Sequence, residues 1–337
     1  MTLFCAIDLH SNNSVAVVLD ENDTVLYQER LPNELPAIER ALLPFRDELY
    51  GVAVESTFNW YWLVDGLQAA GYHVMLVNTH AVQQYKGLKH TNDVSDARWL
   101  AHLMRLGILP TGYIYPYEQR TLRDLLRKRL FLNRERVMHL LSAQCQIRRC
   151  AGLQVDCTEL KRASPQLLQV HQHPNLRFAL RCHLVMVQAL NEQIELIERQ
   201  VAKQTQDNPY LQSLLTVDGV GPILGQTIAL ETGDIDRFAT VGQFASYCRC
   251  VNSQRLSNGK AKGRNNTRNG NKYLSWAFVE AAHSIIRHNK VAHRFYQRKR
   301  AQKNGALATK ALAHKLARAC YYVMRDGVAF AGTRLFA

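Results

Sequence analysis

Two apolar runs that close on acids set the tightest limits on how this chain can fold. The first, Leu3–Leu9, carries Asp8 near its end, and the second, starting at Gly51, stops at Glu55. Short continuous apolar runs of this kind read as strands covered on both faces. Further along, Asp93 and Asp96 stand three apart at the start of a helical stretch and so share one helix face. Acids at the ends of two strands and on a later helix gather negative charge at one edge of a sheet. Carboxylates brought to ~4 Å repel by about 1–4 kcal/mol per pair, so the set calls for a divalent cation. Oxygen ligands favour Mg²⁺ or Mn²⁺, and such a centre points to phosphoryl chemistry on a nucleic acid.

The order of elements supports the same gathering. Residues 2–9, 14–19 and 25–29 read as strands, with Glu21-Asn22-Asp23 as a turn. A helix capped at Asn33-Glu34-Leu35-Pro36 runs to about Phe45, and Gly51–Glu55 is the fourth strand. A helix over Trp60–Ala70, a strand over His73–Val77, a helix around His80–Tyr85 and a helix from about Asn92 to Leu106 follow. Three strands, helix, strand, helix, strand, then an acid-bearing helix is the order of an α/β ribonuclease-H-like (RuvC-like) domain. Asp8, Glu55, Asp93 and Asp96 fall where that order delivers acids.

Charge divides the chain. Residues 1–110 carry 7 Lys+Arg against 13 Asp+Glu, whereas residues 111–337 carry 35 against 15. Within 255–318 there are 16 basic residues and a single acid, Glu280. A solvated face is the plain explanation of a charge run, but one acid in that span favours a polyanionic partner. The eight cysteines are scattered, and Cys248-x-Cys250 lacks zinc-ligand spacing, so they read as reduced cytosolic thiols, mostly core filler. The 13 histidines likewise show no ligand spacing and read as structural or surface groups. No apolar run reaches membrane-spanning length and no leader is evident. The expected location is the cytoplasm, in association with the bacterial nucleoid, with no membrane partner.

From about Gln119 to Gln206 the sequence is mostly helical. Leu176, Leu180, Leu184, Val187, Leu190, Ile194, Ile197 and Val201 form a heptad-like seam. Leu122, Leu126, Leu130, Val137 and Leu141 give an earlier helix a similar stripe. With an interruption over Cys150–Pro174, this predicts an antiparallel helical hairpin, or coiled coil, that also serves dimerisation. Three domains are therefore expected: 1–110, 111–206 and a mainly α 207–337.

Two further stretches carry chemistry. Gly219-Val-Gly221-Pro222 between two helices resembles a helix-hairpin-helix, whose glycines let backbone N–H groups approach a phosphate. The stretch 252–273 reads as a polar loop rich in Gly, Asn and cations that opens a helix at Tyr273. Lys260, Lys262, Arg264, Arg268, Asn271 and Lys272 suit contacts to nucleic acid, with the arginines able to hold phosphate oxygens bidentately.

The succession Asp…Glu…Asp-x-x-Asp-Ala, helical spacer, Gly-Val-Gly-Pro, then Ser257-Asn-Gly259-Lys260 and Thr267-Arg-Asn-Gly270-Asn271-Lys272-Tyr-Leu274 resembles one family over nearly the whole chain. It is similar to the DEDD transposases of insertion-sequence family one hundred and ten, and its wording to subgroup one thousand one hundred and eleven. That resemblance implies Asp8, Glu55, Asp93 and Asp96 as metal ligands and Ser257 as the nucleophile that joins covalently to DNA. It also implies donor and target DNA and a structured bridge RNA as partners. A homo-oligomer, dimer or tetramer, with composite active sites completes the set. The family's Gly-Leu-Val-Pro-like tract is replaced here by Arg249-Cys-Val-Asn252, which keeps Ser253 as a second candidate hydroxyl. A site-specific invertase, a junction resolvase that uses water, and a non-catalytic nucleic-acid-binding protein are the competing readings.

Overall fold

A computed structural model describes residues 1–82, 93–162, 164–251, 254–264 and 269–335. The chain divides into two compact units, Met1–Tyr117 and Glu118–Ala337. Each is built around its own apolar core.

The first unit is one mixed sheet with helices on both faces. Its strands are β1 (Leu3–Leu9), β2 (Asn13–Leu19), β3 (Val25–Pro32), β4 (Leu49–Glu55) and β5 (Val74–Val77), in the order β3-β2-β1-β4-β5. β1, β2 and β3 pair antiparallel, while β1 with β4 and β4 with β5 pair parallel. Parallel pairing needs crossovers, supplied by α1 (Leu35–Leu42) and α2 (Tyr61–Ala69). Alternation along β1 sorts its side chains. Leu3, Cys5, Ile7 and Leu9 join the core with Ile38, Leu42, Leu63 and Leu67 of α1 and α2. Phe4 and Ala6 join the opposite core, under Ala97, Leu100, Ala101 and Met104. Those four belong to α4 (Asp93–Arg105), which follows the short α3 (Thr79–Val82). The rest of the helix expected around His80–Tyr85 and the Asn92 start of the next lie outside the described residues. Asn33 does not cap α1: the N-cap is Glu34, with no side-chain capping bond. The Asn33 amide instead donates to the His10 carbonyl at 2.9 Å and accepts from the Ser14 hydroxyl, and so ties down the end of β1.

The second unit begins with the expected hairpin. Helix α5 (Tyr117–Ala151) is followed by α6 (Cys157–Lys161), a 3-10 turn over Pro165–Val170, and α7 (Pro174–Gln204). Leu122 and Leu126 cluster with Val201, whereas Leu140, Ala143 and Ile147 meet Leu180, Leu184 and Val187, which fixes α5 and α7 antiparallel. The α7 seam is buried at Leu180, Leu184, Val187, Leu190, Ile194 and Val201. The α5 stripe departs from expectation, because Val137 and Leu141 point outward and Leu140, Ala143 and Ile147 replace them. A polar layer explains the shift. Arg136 donates to Asn133 in its own helix and to Asn191 in α7, at 2.6 and 2.8 Å, so the apolar contact resumes one position out of phase.

The remaining elements are α8 (Leu211–Leu215), α9 (Pro222–Thr232), α10 (Val241–Tyr247), strands β6 (Gln254–Ser257) and β7 (Lys260–Arg264), then α11 (Lys272–His288), α12 (Lys290–Gln302), α13 (Gly305–Asp326) and α14 (Gly332–Leu335). Gly219 is required by packing: at φ +88°, an added Cβ would meet the Ala281 carbonyl of α11 at 2.6 Å. A buried polar junction joins α5, α9 and α11. Glu231, 1% exposed, receives two hydrogen bonds from Arg127 at 2.6 and 2.8 Å and one from the Asn271 amide at 2.7 Å. The Arg127 guanidinium also lies 4.4 Å from the Tyr273 ring. Burial works against the Arg127 charge, but the Glu231 carboxylate outweighs it and holds its pKa above the ordinary value. Glu231→Ala leaves that cation only the more exposed Asp124, 3.7 Å away, and is expected to destabilise the protein by about 3–5 kcal/mol in urea unfolding. A change below about 1 kcal/mol would mean that solvent screens the pair.

Candidate functional site

Asp8 is next to last in β1 and shares the parity of Phe4 and Ala6, so it projects to the α4 face; it is 4% exposed. His10 follows directly. Its carbonyl accepts from Asn33 and from Asn59, both at 2.9 Å, and its own N–H donates to the Asn13 carbonyl. Thus pinned, the imidazole Nε2 lies 3.4 Å from Asp8 Oδ2 and 3.3 Å from Asp93 Oδ2, the latter on the first residue of α4. One ligand atom from each of Asp8, His10 and Asp93 falls within 4.8 Å of the others. Arg30 of β3 completes the surroundings, with Nη2 2.7 Å from Asp93 Oδ2 and Nη1 2.6 Å from Asn13 Oδ1.

The cluster suits a divalent cation. Two carboxylates supply the hard oxygens that Mg²⁺ and Mn²⁺ prefer, and an imidazole is a further donor for a transition metal. His10 Nε2 is shut off from solvent, with no well-formed hydrogen bond, and sits between the two acids.

Glu55 and Asp96 stand differently. The parallel register sets Ile7 beside Val54, so Glu55 neighbours Asp8 on the adjacent strand, about 4.8 Å away in backbone terms. It shares the parity of Ala53, which lies in the core under α4, and therefore the face of Asp8. Glu55 is half-buried, whereas Asp96 is exposed, one turn along α4 from Asp93. Among the described residues, the close group contains two of the four expected acids, Asp8 and Asp93, with His10 in addition. Against the general reading of the histidines as structural or surface groups, His10 stands out as one further candidate donor. Its signal was present in the sequence: Asp8-x-His10 places both side chains on one face of an extended segment.

In the second unit, residues 254–264 are not the expected loop but a β-hairpin. Gln254 pairs with Arg264 and Ser257 with Lys260. Asn258 and Gly259 take φ of 51° and 70°, the positive pair of a two-residue type I′ turn. Ser257 therefore sits exposed at the hairpin tip, with Lys260 and Lys262 also exposed. Arg264 is described as backbone in β7 only, and Ser253 and Arg268 lie outside the described residues. Asn271 is 8% exposed. Its side chain caps α11 through the Tyr273 and Leu274 N–H groups and donates to Glu231, so it is spent on mounting the helix. Lys272 is exposed, with its ammonium 5.1 Å from the Tyr273 ring. Gly221 is exposed and N-caps α9.

Comparison with known proteins finds transposase matches in both units. Residues 5–150 match a transposase profile named for the DEDD acids and IS110, and residues 211–297 match the "Transposase IS116/IS110/IS902 family". Together the two matches span more than half of the chain. The chain belongs to the IS110 family of transposases. Transposases are enzymes that cut and rejoin DNA. A "Transposase for insertion sequence element IS1328" of Yersinia enterocolitica is 26% identical over 83% of this chain and 85% of its own length. A "Probable family 20 transposase" of Pseudomonas aeruginosa is 31% identical over 30% of each chain. An IS110 protein of Streptomyces coelicolor is 26% identical over 41% of this chain and 35% of its own. The matches to the last two thus span about a third of those relatives. Among the described residues no helix is long and apolar enough to cross a membrane.

The Arg30 hydrogen bond holds the Asp93 carboxyl below its ordinary pKa of 3.8, assisted by His10 and opposed by burial. A lowered folded-state value means that this stabilisation is present above the ordinary Asp range and fades as the pH falls through the lowered pKa. In metal-free Arg30→Gln, the Asp93 carboxyl is expected to titrate closer to 3.8, as read by carbon NMR. An unchanged titration would deny Arg30 that role.

Proposed function

We propose that the protein is the transposase of an insertion sequence and that its first unit is a ribonuclease-H-like (RuvC-like) nuclease domain. The observation that carries this reading is the convergence of Asp8, His10 and Asp93 at one sheet edge, with Glu55 beside Asp8 in register. The sheet order β3-β2-β1-β4-β5, with three antiparallel strands followed by parallel ones, supports it. Asp8, Glu55, Asp93 and Asp96 are the acids assigned to metal binding, with His10 as an added donor. A divalent cation bound there would withdraw charge from a scissile phosphate and steady the attacking and leaving oxygens. Asn33 and Asn59 keep His10 in place, and Arg30 restrains Asp93 until a ligand arrives.

Ser257 is the proposed nucleophile. Its Oγ forms a bond to phosphorus as the bond to one strand oxygen breaks, and that oxygen takes up the proton. The serine ester conserves the phosphodiester bond for rejoining. Exposure at a hairpin tip, beside a type I′ turn and across from the exposed Lys260, leaves the hydroxyl accessible to a backbone phosphate. The Gly219–Pro222 turn, as a helix-hairpin-helix element, would add a sequence-independent grip at the α9 N-terminus. A structured bridge RNA that pairs with donor and target DNA, and membership of subgroup one thousand one hundred and eleven, belong to this reading by resemblance. Self-association is favoured by apolar side chains on the outer faces of the helical hairpin, namely Phe131, Met138 and Leu141 on α5 and Phe178, Val185 and Met186 on α7.

Two substitutions divide the chemistry. With element-end DNA and its RNA, Ser257→Ala should abolish detergent-stable protein–DNA adducts while DNA binding persists. Undiminished adducts would reject Ser257. Asp8→Asn should lower strand cleavage by at least about a hundredfold, roughly 2.7 kcal/mol of barrier, whatever the Mg²⁺ or Mn²⁺ concentration. Rescue to the normal rate by added metal would reject direct ligation.

A further inference from the structure

The junction of α11 and α12 concentrates positive charge that the fold itself does not use. Arg287 and His288 end α11, and Lys290, His293 and Arg294 open α12. With Asn289 they line an open concavity of about 640 Å³. All five are exposed. Among the described residues, none of Arg287, Lys290, Arg294 and Arg300 forms an ion pair with a carboxylate; Glu280, the one acid in 255–318, and Asp218, which accepts from Asn289 at 2.9 Å, are too few to balance the set. Lys290, Arg294 and Arg298 follow at intervals of four along one helix face, where like charges destabilise a helix by about 0.2–0.5 kcal/mol per pair. A face that costs the helix stability, with only a 5.7 Å contact of Arg298 to the Phe295 ring in return, is explained by an anion from outside.

From this charge we infer that the α11–α12 junction is a docking surface for the phosphate backbone of duplex DNA, distinct from the serine hairpin and its lysines. The inference rests on the transposase reading, which supplies DNA as the substrate. The choice of duplex follows from what the face lacks. Single strands and RNA loops are held largely by stacking bases on exposed aromatic rings. Among the described residues, no Phe, Tyr or Trp lines the concavity, whose only rings are the imidazoles of His288 and His293, and of the two larger aromatics of α12 Phe295 is buried and Tyr296 half-buried. What remains is an array of cations around a concavity, which positions a backbone and reads no bases.

The test uses the full-length protein carrying Arg287→Gln, Lys290→Gln and Arg294→Gln together. Binding to a duplex DNA of arbitrary sequence is followed by fluorescence anisotropy between about 50 and 200 mM salt. Loss of three phosphate contacts should shrink the slope of log K against log salt by about 2.7, with affinity down at least about tenfold and equally for a scrambled duplex. The melting temperature should hold or rise, because the substitutions relieve like-charge repulsion. An unchanged slope would overturn the surface, and so would a loss larger for duplex RNA than for DNA. Failure of the transposase reading would show elsewhere, as strand cleavage that survives Asp8→Asn.

Discussion

The rest of the first unit is arranged around a repulsion: Asp8 and Asp93 hold their carboxylates on either side of one imidazole. Such acids at contact distance oppose one another by about 1–4 kcal/mol, and a flexible chain would simply let them part. Here neither can move far. Asp8 is fixed by a strand paired on both sides, and Asp93 by a helix whose apolar face is packed on that same sheet. Arg30 and His10 offset part of the cost in the metal-free protein. The parallel register of β1 and β4 adds Glu55 to the same face, so the two strands and α4 together build a concentration of negative charge.

The second unit is organised by the opposite sign. Its excess of cations is displayed on the β6–β7 hairpin, at the start of α11 and along α12, while the interior is mostly apolar. Among its buried polar groups is the Arg127–Glu231–Asn271 junction, where one buried carboxylate holds the helical hairpin, α9 and the N-terminus of α11 in register. That junction fixes the origin of the helix that follows the serine hairpin. An acidic unit suited to cations and a basic unit suited to phosphates are the two properties on which the proposed strand transfer draws.

Much of this was legible in the sequence, and the exceptions have physical causes. The five strands and their intervening helices follow from apolar runs and turn residues, and Asp8 and Asp93 stood out by their places at element ends. The candidate His10 is hidden from helical or zinc-finger spacing, because an acid and a histidine two apart converge only on an extended segment. Residues 254–264 read as a loop because their polar composition masks the Asn258-Gly259 turn, which is itself a strong hairpin signal. Asn33 resembled a helix cap but is claimed by a tertiary contact to His10. The α5 stripe slipped at Val137 and Leu141 because Asn133 and Arg136 form a polar layer that periodicity alone does not reveal.

The most direct test of the account is to locate Mn²⁺ by anomalous scattering in crystals of the full-length protein grown with that ion. The account predicts a peak bonded to carboxylate oxygens of Asp8 and Asp93, with Arg30 turned away from Asp93. A protein that stays metal-free at that edge in saturating Mn²⁺, with Arg30 and His10 still gripping Asp93, would contradict it.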